Sequence, residues 1–247
     1  MKSISLAASR CVGRAGSVAM RGCFPRGSAV DRRKTRSKSE LRSALHQIFP
    51  ESTVDGVFDP ASGSVSSSYE SVSVMFTDLV GFTRWSSCRS PEDVISCLGL
   101  YFTILDELCE KYLMYKIETI GDCYVAIAGA PIDVASHADS AVNFGLAVVE
   151  LQPRLRQIFG DASLSMRVGV HSGPVVAGVI KSVRPRWQVF GDTMNMASRM
   201  ESTSEPGRLQ ISSSTHALLS AESLALYRYE RRSHVEVKGK GPQLCYF

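Results

Sequence analysis

With 247 residues, the chain can hold one large domain or two small ones, and its 44% hydrophobic and 21% charged residues are typical of a soluble globular protein. Seven cysteines without a CxxC pair argue against zinc and against a disulfide framework, and favour a reducing compartment. No apolar run approaches the roughly 18 residues of a membrane span. The net charge of +4 is uneven, because residues 1–38 carry +9 and residues 39–247 carry −5.

Residues 1–38 are rich in Arg, Ser, Ala and Gly. This composition resembles an organelle transit peptide, and it equally resembles a disordered linker of a larger protein. The basic run at 31–38 also suits contact with nucleic acid or anionic lipid, but a solvated tail is the simpler interpretation, and we expect no nucleic-acid partner.

Residues 39–70 are predicted to be a linker that contains a short helix. Apolar residues at helical spacing precede Pro50, which ends the helix: Leu41, Leu45, Ile48 and Phe49. The serine-rich segment 61–68 predicts a loop. A larger domain is then expected over residues 71–247.

The larger domain opens with a predicted strand over 72–77. Ser90 and Pro91 then begin a helix, as its cap and first-turn proline. That helix continues through apolar residues spaced three and four apart: Val94, Ile95, Leu98, Tyr101, Phe102, Leu105 and Leu108. Residues 115–120 and 123–128 predict two strands joined in a hairpin at Gly121 and Asp122.

A second amphipathic helix is predicted over 137–159, bent or restarted at Pro153. Residues 164–171 and 175–180 predict a strand pair around a turn at 172–174. A helix follows over 193–201 with Asp192 as its cap, and the remainder alternates strands and a short helix. The order strand-helix-strand-strand-helix-strand predicts an α+β fold, a ferredoxin-like βαββαβ core with additions.

Two aspartates, Asp78 and Asp122, each follow an apolar strand-like run and lie near glycine. Paired carboxylates at strand ends suit hard divalent cations. Gly81 lets the backbone after Asp78 turn tightly, which directs its amides toward a phosphate. Either segment alone would more often be an ordinary turn; their combination is what suggests a site.

Three motifs give the chain a family resemblance: VSVMFTDLVGFT at 72–83, KIETIGDCYVAIAG at 116–129 and FGDTMNMASRM at 190–200. With them the chain resembles the class III nucleotidyl cyclases, the adenylyl and guanylyl cyclase catalytic domains, most closely those of eukaryotic guanylyl cyclases. The resemblance extends from about residue 41 to residue 247. These enzymes cyclise a nucleoside triphosphate by attack of the ribose 3′-hydroxyl on the α-phosphate, which releases pyrophosphate.

The resemblance assigns roles at the metal and phosphate end. It implies that Asp78 and Asp122, with the carbonyl of Leu79, bind two divalent cations, Mg²⁺ or Mn²⁺. It also implies that the loop amides meet the phosphates of the substrate: Gly81, Phe82 and Thr83. Magnesium held by few carboxylates together with substrate phosphates fits its coordination preferences.

Three further residues match catalytic or substrate-binding positions of the family. Asn195 would orient the ribose, and Arg199, one helical turn later, would stabilise the transition-state phosphate. Lys238 matches the triphosphate-binding lysine, whereas Lys240 is expected to be exposed. His171 has no chemical role in the resemblance and is interpreted as a packed or turn residue.

Glu118 and Gln188 occupy the base-recognition positions. A carboxylate at Glu118 can accept from guanine N1–H and the N2 amino group, and the Gln188 amide can donate to O6. Gln188 departs from the Cys usual in eukaryotic guanylyl cyclases, and because an amide can also present its acceptor, Gln188 does not exclude adenine. The expected substrate is GTP, with ATP as the rival.

One chain carries both the metal aspartates and the base, ribose and phosphate residues, which the family takes from two different subunits. A head-to-tail homodimer with two shared sites is therefore implied. The alternatives are an adenylyl cyclase with an atypical base pocket and a non-catalytic, cyclase-like dimerisation module. The expected location is the cytoplasm or the cytoplasmic face of a membrane within a longer protein, or an organelle if residues 1–38 target one.

Overall fold

The computed structural model describes residues 43, 45, 49, 50, 53, 54, 65–180 and 185–247, apart from the side chain of residue 234. The predictions for residues 1–38, and those resting on Leu41 and Ile48, lie outside these residues. Of the predicted linker helix, residues 43 and 45 are described as helical, and the Phe49 N–H donates to the Leu45 carbonyl at 2.8 Å. No helix in the described part of the chain is long and apolar enough to cross a membrane.

Eight strands of the described chain form one mixed sheet. In chain order they are β1 (Val65–Val80), β2 (Tyr115–Ile120), β3 (Cys123–Ala128), β4 (Ser165–Val179), β5 (Trp187–Phe190), β6 (Arg208–Ser212), β7 (Arg231–Val237) and β8 (Gly241–Tyr246). The sheet order is β2-β3-β1-β4-β6-β8-β7, and β5 pairs with the far end of β4. The central order β2-β3-β1-β4 is that of a ferredoxin-like core, which confirms the predicted fold.

The helices, again in chain order, are α1 (Phe82–Ser86), α2 (Pro91–Lys111), α3 (His137–Glu150), α4 (Gln152–Phe159), α5 (Asp192–Ser202), α6 (Ser213–Ala217) and α7 (Ala221–Leu226). The predicted cap of α2 is confirmed, because Ser90 Oγ accepts from the Asp93 amide. The predicted break near Pro153 is also confirmed, with Pro153 in the first turn of α4. Asp192 is wrong as a cap: it is the first residue of α5, and Gly191 precedes the helix.

The predicted loop at 61–68, where the structure describes it, and the predicted turn at 172–174 are wrong for a common reason. Residues 66–68 belong to β1 rather than to a loop, and residues 172–174 lie inside β4 rather than in a turn. The two strands pair with each other along almost their whole length, so serine and glycine find backbone partners there. Pro174 lies opposite a bulge in β1, between Tyr69 and Val72, where its missing N–H breaks no ladder hydrogen bond.

The sheet has an apolar core on each face. On one face α2, α3 and α4 cover Met75, Tyr124 and Met166. On the other face, Val74 and Ile127 from the middle of the sheet pack in one cluster with residues from the far ends of β4 and β5, among them Val179 and Trp187. The paired ends of β4 and β5, residues 176–179 and 187–190, form an arm (the β4–β5 arm) that therefore bends back over the sheet, and the bulge in β1 lies at the bend.

Helix α5 lies directly on β4, also on this second face. A Cβ placed on Gly169 would lie 1.9 Å from the backbone nitrogen of Glu201, so only glycine allows the helix to approach so closely. Ala197 of the same helix is completely buried against the sheet. The close approach fixes the height of α5 above the sheet, and with it the positions of the polar side chains on the helix.

Candidate functional site

The two aspartates lie at the same end of neighbouring strands. Asp78 is near the end of β1, and Asp122 lies in the turn between β2 and β3. Pairing of β1 with β3 stops at Thr77, and beyond it Asp122 Oδ2 accepts a hydrogen bond from the Leu79 N–H at 3.1 Å. Because the N–H and C=O of one strand residue point to the same side, the Leu79 carbonyl also faces Asp122. One backbone and two carboxylate acceptors thus converge at this edge.

The carboxylates at this edge repel each other. Burial, and then the charge of Asp78, raise the pKa of Asp122 to about 6. A divalent cation between the two groups would relieve both effects. No three His, Cys, Asp or Glu side chains gather as a metal cage in the described ranges, but Mg²⁺ commonly uses one or two carboxylates and completes its shell with water and substrate oxygens. The donor set therefore fits magnesium or manganese.

Sequence reasoning missed two charged residues beside this edge. Arg167 of β4 places Nη2 3.1 Å from Asp78 Oδ2 and Nε 2.5 Å from Glu201 Oε1. Glu201 is only 7% exposed, and burial raises its pKa even though Arg167 lowers it. The available signal was a charged residue in the otherwise apolar strand segment SMRVGV, but its partner Asp78 lies 89 positions earlier in the chain.

The segment after Asp78 turns sharply into α1. Gly81 has φ 94°, in the left-handed region that glycine tolerates, and it immediately precedes the helix. The amides of Phe82 and Thr83 belong to the first helical turn, whose N–H groups have no partner within the helix. The Trp85 side chain anchors the helix by donating from Nε1 to the Phe159 carbonyl at 2.8 Å.

Helix α5 carries Asn195 and Arg199 one turn apart, as predicted. Asn195 is exposed and Arg199 is partly buried. The buried side of the same helix includes Met196 and Met200, which pack against Val237 of β7. The two polar residues are therefore held on a helix that is anchored to the sheet through its opposite side.

Lys238 is exposed in the turn between β7 and β8. Two residues later, Lys240 is exposed as predicted, and its Nζ lies 2.7 Å from Asp192 Oδ2 at the start of α5. This ion pair ties the turn that carries Lys238 to the helix that carries Asn195.

Glu118 and Gln188 lie on strands that meet through their aromatic neighbours. A bulge after Lys116 places Glu118 opposite Val125, whose side chain is in the second core, so Glu118 lies on the face covered by α5 and the arm. The rings of Tyr115 on β2 and Trp187 on β5 pack edge to face, with centroids 5.0 Å apart. Both candidate base-recognition side chains are exposed.

His171 lies within β4 and not in a turn. Its Nδ1 is 2.8 Å from Ser212 Oγ, and burial lowers its pKa. It is a partly buried, hydrogen-bonded residue, in agreement with the packed interpretation.

A family model, the adenylate and guanylate cyclase catalytic domain, matches residues 64–247. Guanylate cyclase 2G of Mus musculus is 42% identical over 183 residues, which cover 72% of this chain. Receptor-type guanylate cyclase gcy-28 of Caenorhabditis elegans is 36% identical over 212 residues, which cover 85% of this chain. The chain spans 16% of the length of each of these two relatives.

Solved structures agree with these matches. The guanylate cyclase domain of RhGC from Catenaria anguillulae, in complex with GTP, is 40% identical with a TM-score of 0.68, covering 73% of this chain and 96% of that one. The adenylyl cyclase CyaB from P. aeruginosa has the same TM-score at 27% identity, covering 74% of this chain and 94% of that one. The fold is thus common to proteins named for either nucleotide.

Proposed function

Because the chain belongs to the adenylate and guanylate cyclase catalytic domain family, we propose that it converts GTP to 3′,5′-cyclic GMP and pyrophosphate. The observation that carries the proposal is the convergence of Asp78 and Asp122 at one sheet edge, where Asp122 accepts a hydrogen bond from the Leu79 N–H. The similarity to the GTP-bound domain of RhGC supports the choice of nucleotide.

Two divalent cations, Mg²⁺ or Mn²⁺, would be held by Asp78, Asp122 and the Leu79 carbonyl. When bound, they acidify the ribose 3′-hydroxyl and offset the charge of the triphosphate. The chain itself supplies amides of Gly81, Phe82 and Thr83 to the phosphates, where the left-handed Gly81 turns the backbone. Lys238 adds a positive charge from its exposed turn.

Helix α5 provides the groups for the sugar and the reacting phosphate. Asn195 orients the ribose, so that its 3′-hydroxyl is aligned for in-line attack. Arg199 stabilises the charge that develops on the equatorial phosphate oxygens, because its guanidinium is always charged. The anchored underside of the helix limits how far either group can move.

Glu118 selects guanine by accepting from N1–H and the N2 amino group. Gln188 donates from its side-chain amide to O6. Adenine presents an acceptor at N1, which the Glu118 carboxylate would repel. The alternative substrate is ATP, which the departure at Gln188 from the family pattern does not exclude.

We assign the active form as a head-to-tail homodimer in which Asp78 and Asp122 of one protomer face Asn195, Arg199 and Glu118 of its partner. Among the described residues on or beside the β4–β5 arm, three large apolar side chains are exposed in the single chain and are available to such an interface: Val176, Ile180 and Phe190. The catalytic unit is residues 71–247, preceded by a linker at 39–70 and a basic segment at 1–38. We place it in the cytoplasm or at the cytoplasmic face of a membrane.

A turnover assay with GTP and ATP in parallel, each in Mg²⁺ and in Mn²⁺, tests the proposal. Cyclic GMP as the main product supports it. Cyclic AMP as the main product would replace GTP by ATP within the same site. Dimers without turnover of either nucleotide would leave the non-catalytic module as the function.

A further inference from the structure

The proposed metal edge contains one cationic side chain among its carboxylates. Burial and the charge of Asp78 raise the pKa of Asp122, and burial together with the charges of Asp78 and Asp122 raises the pKa of Glu201. Arg167 contacts two of the three, at 3.1 Å from Asp78 and 2.5 Å from Glu201. Its guanidinium cannot lose its proton in a protein, so its charge is permanent.

The position of Arg167 is built into the fold. Arg167 and Asp78 are directly opposed across the β1–β4 pair. Glu201 is brought to the same place by α5, whose backbone rests on Gly169, two residues after Arg167 on β4. With 10% side-chain exposure, Glu201 is the more buried partner of Arg167, and a buried carboxylate is stable only when it is paired.

On the basis of the proposed function, we propose that Arg167 is an internal counterion that neutralises Asp78 before a metal ion binds, and that Glu201 shares this guanidinium and so limits its hold on Asp78. A cation that binds Asp78 must displace this guanidinium from the carboxylate. Metal affinity is therefore set partly by the competition between Arg167 and the metal ion for Asp78.

The competition gives two substitutions opposite effects. Arg167→Gln removes the competing charge, so the metal ion should bind more tightly. Glu201→Gln removes a negative charge near the site and leaves Asp78 as the one ion-pair partner that the described residues offer Arg167, so the metal ion should bind more weakly. General damage to the site would weaken binding in both variants, and the difference in sign separates the two explanations.

The test is Mn²⁺ binding to the nucleotide-free protein, followed by the electron paramagnetic resonance signal of free Mn²⁺. We expect Arg167→Gln to lower the dissociation constant by roughly 3- to 10-fold and Glu201→Gln to raise it by a similar factor, as for a partly buried ion pair. Glu205→Gln is the matched control, because Glu205 is exposed and faces Arg208 and Arg232 at 3.7 Å instead. It should leave the constant unchanged.

Arg167→Lys is a second variant for the case in which Arg167→Gln does not fold. Lysine keeps the positive charge but cannot span both carboxylates. Arg167→Lys should bind Mn²⁺ more tightly than wild type and less tightly than Arg167→Gln. An Arg167→Gln protein that folds only when Mn²⁺ is added also supports the proposal, since the metal ion then replaces the missing charge.

Weaker binding in Arg167→Gln and Arg167→Lys, while Asp78→Asn abolishes binding, would overturn the counterion role and leave the proposed metal site intact. Unchanged binding in Asp78→Asn would overturn the metal site itself, and the counterion role with it.

Discussion

The ring of Tyr115 packs edge to face against the indole of Trp187, with centroids 5.0 Å apart, and this contact joins the strand of Glu118 to the strand of Gln188. Both residues belong to the core that the bent β4–β5 arm forms with the sheet. The spacing of the two candidate base-recognition side chains therefore depends on a contact between two rings that need not touch the nucleotide.

Replacing Tyr115 by Leu should raise KM for GTP and reduce the preference for GTP over ATP. The lost aromatic contact should also lower the free energy of unfolding by about 1–2 kcal/mol. Steady-state kinetics with both nucleotides and chemical denaturation provide the measurements. Tyr112→Leu is the control, because Tyr112 packs against Phe144 on the other face of the sheet. Equal loss of selectivity in both variants would contradict a special role for the Tyr115 contact.

Asp78→Asn and Asp122→Asn should each reduce turnover by at least about 1000-fold, because each removes one ligand charge from the proposed metal site. Each change preserves side-chain volume, so the protein should remain folded. The measurement is cyclic GMP formation, with circular dichroism as the check on folding.

Asp106→Asn serves as the control for those variants, since Asp106 pairs with Lys116 and Tyr124 away from the metal edge. Turnover within about tenfold of wild type in either metal-edge variant would be incompatible with the assigned ligands.

Mixing Asp78→Asn with Arg199→Ala should restore activity, although each variant alone is inactive. In a heterodimer one site contains both damaged residues and the other contains neither. After complete subunit exchange of equal amounts, half of the dimers are mixed, so about one quarter of wild-type activity should return. Differently labelled subunits verify the exchange, and no recovery after verified exchange would exclude a site shared between protomers.

The base pocket should respond to charge at two positions. Wild type should prefer GTP over ATP by about 10- to 1000-fold in kcat/KM, from the charge-assisted hydrogen bonds to Glu118. The double substitution Glu118→Lys with Gln188→Asp should reverse this preference, because it offers a donor to adenine N1 and an acceptor to its amino group. Gln188→Cys alone should keep GTP turnover. Wild type that uses ATP as well as GTP would rule out the guanylyl assignment.

Stability should fall in mild acid because of buried imidazoles. Burial lowers the pKa of His137 from its ordinary value of 6.5, and its ring nitrogens lie 3.1 Å from Ser71 Oγ and 2.8 Å from Ser73 Oγ. Below about pH 6.5, His137 therefore binds a proton more readily in the unfolded chain than in the folded one. The contribution of neutral His137 to the free energy of unfolding is present above that pH and is lost as the pH falls through the pKa of the folded state. Burial also lowers the pKa values of His171 and His216.

The measurement is the urea midpoint of wild type and His137→Gln between pH 5 and pH 8. The variant should be less stable at pH 8 but lose less stability on acidification, and it should retain the part of the pH dependence that comes from His171 and His216. Identical pH dependence in the two proteins would show that His137 does not carry a lowered pKa.

Local signals in the sequence predicted local structure well. The hairpin of β2 and β3, the Ser90 cap and the restart near Pro153 depend on residues within one or two turns of chain, and the structure confirms all three. The ferredoxin-like order followed from the succession of these elements. The predicted strands placed both Asp78 and Asp122 at strand ends, and the structure brings these two residues together at one edge of the sheet.

Features that depend on distant pairing were missed. Nothing near Ser172 indicates that β4 continues through it, because its partner is Ser73, 99 residues earlier. The contact of Arg167 with Asp78 spans 89 residues, and that of Arg167 with Glu201 spans 34. Side chains such as these become neighbours only after the sheet has formed, so their spacing along the sequence does not reveal them.

Around the bulge between Tyr69 and Val72, the number of residues in β1 matters more than which side chains they carry. Ser66, Ser67 and Ser68 are exposed, so many side chains would serve there equally well. The extra residue of β1 opposite Pro174 lies where the paired strands bend. Losing a single residue there would let the arm straighten and carry Gln188 away from β2 with every contacting side chain still present. Natural variation in this stretch should therefore be rich in substitutions and poor in insertions and deletions.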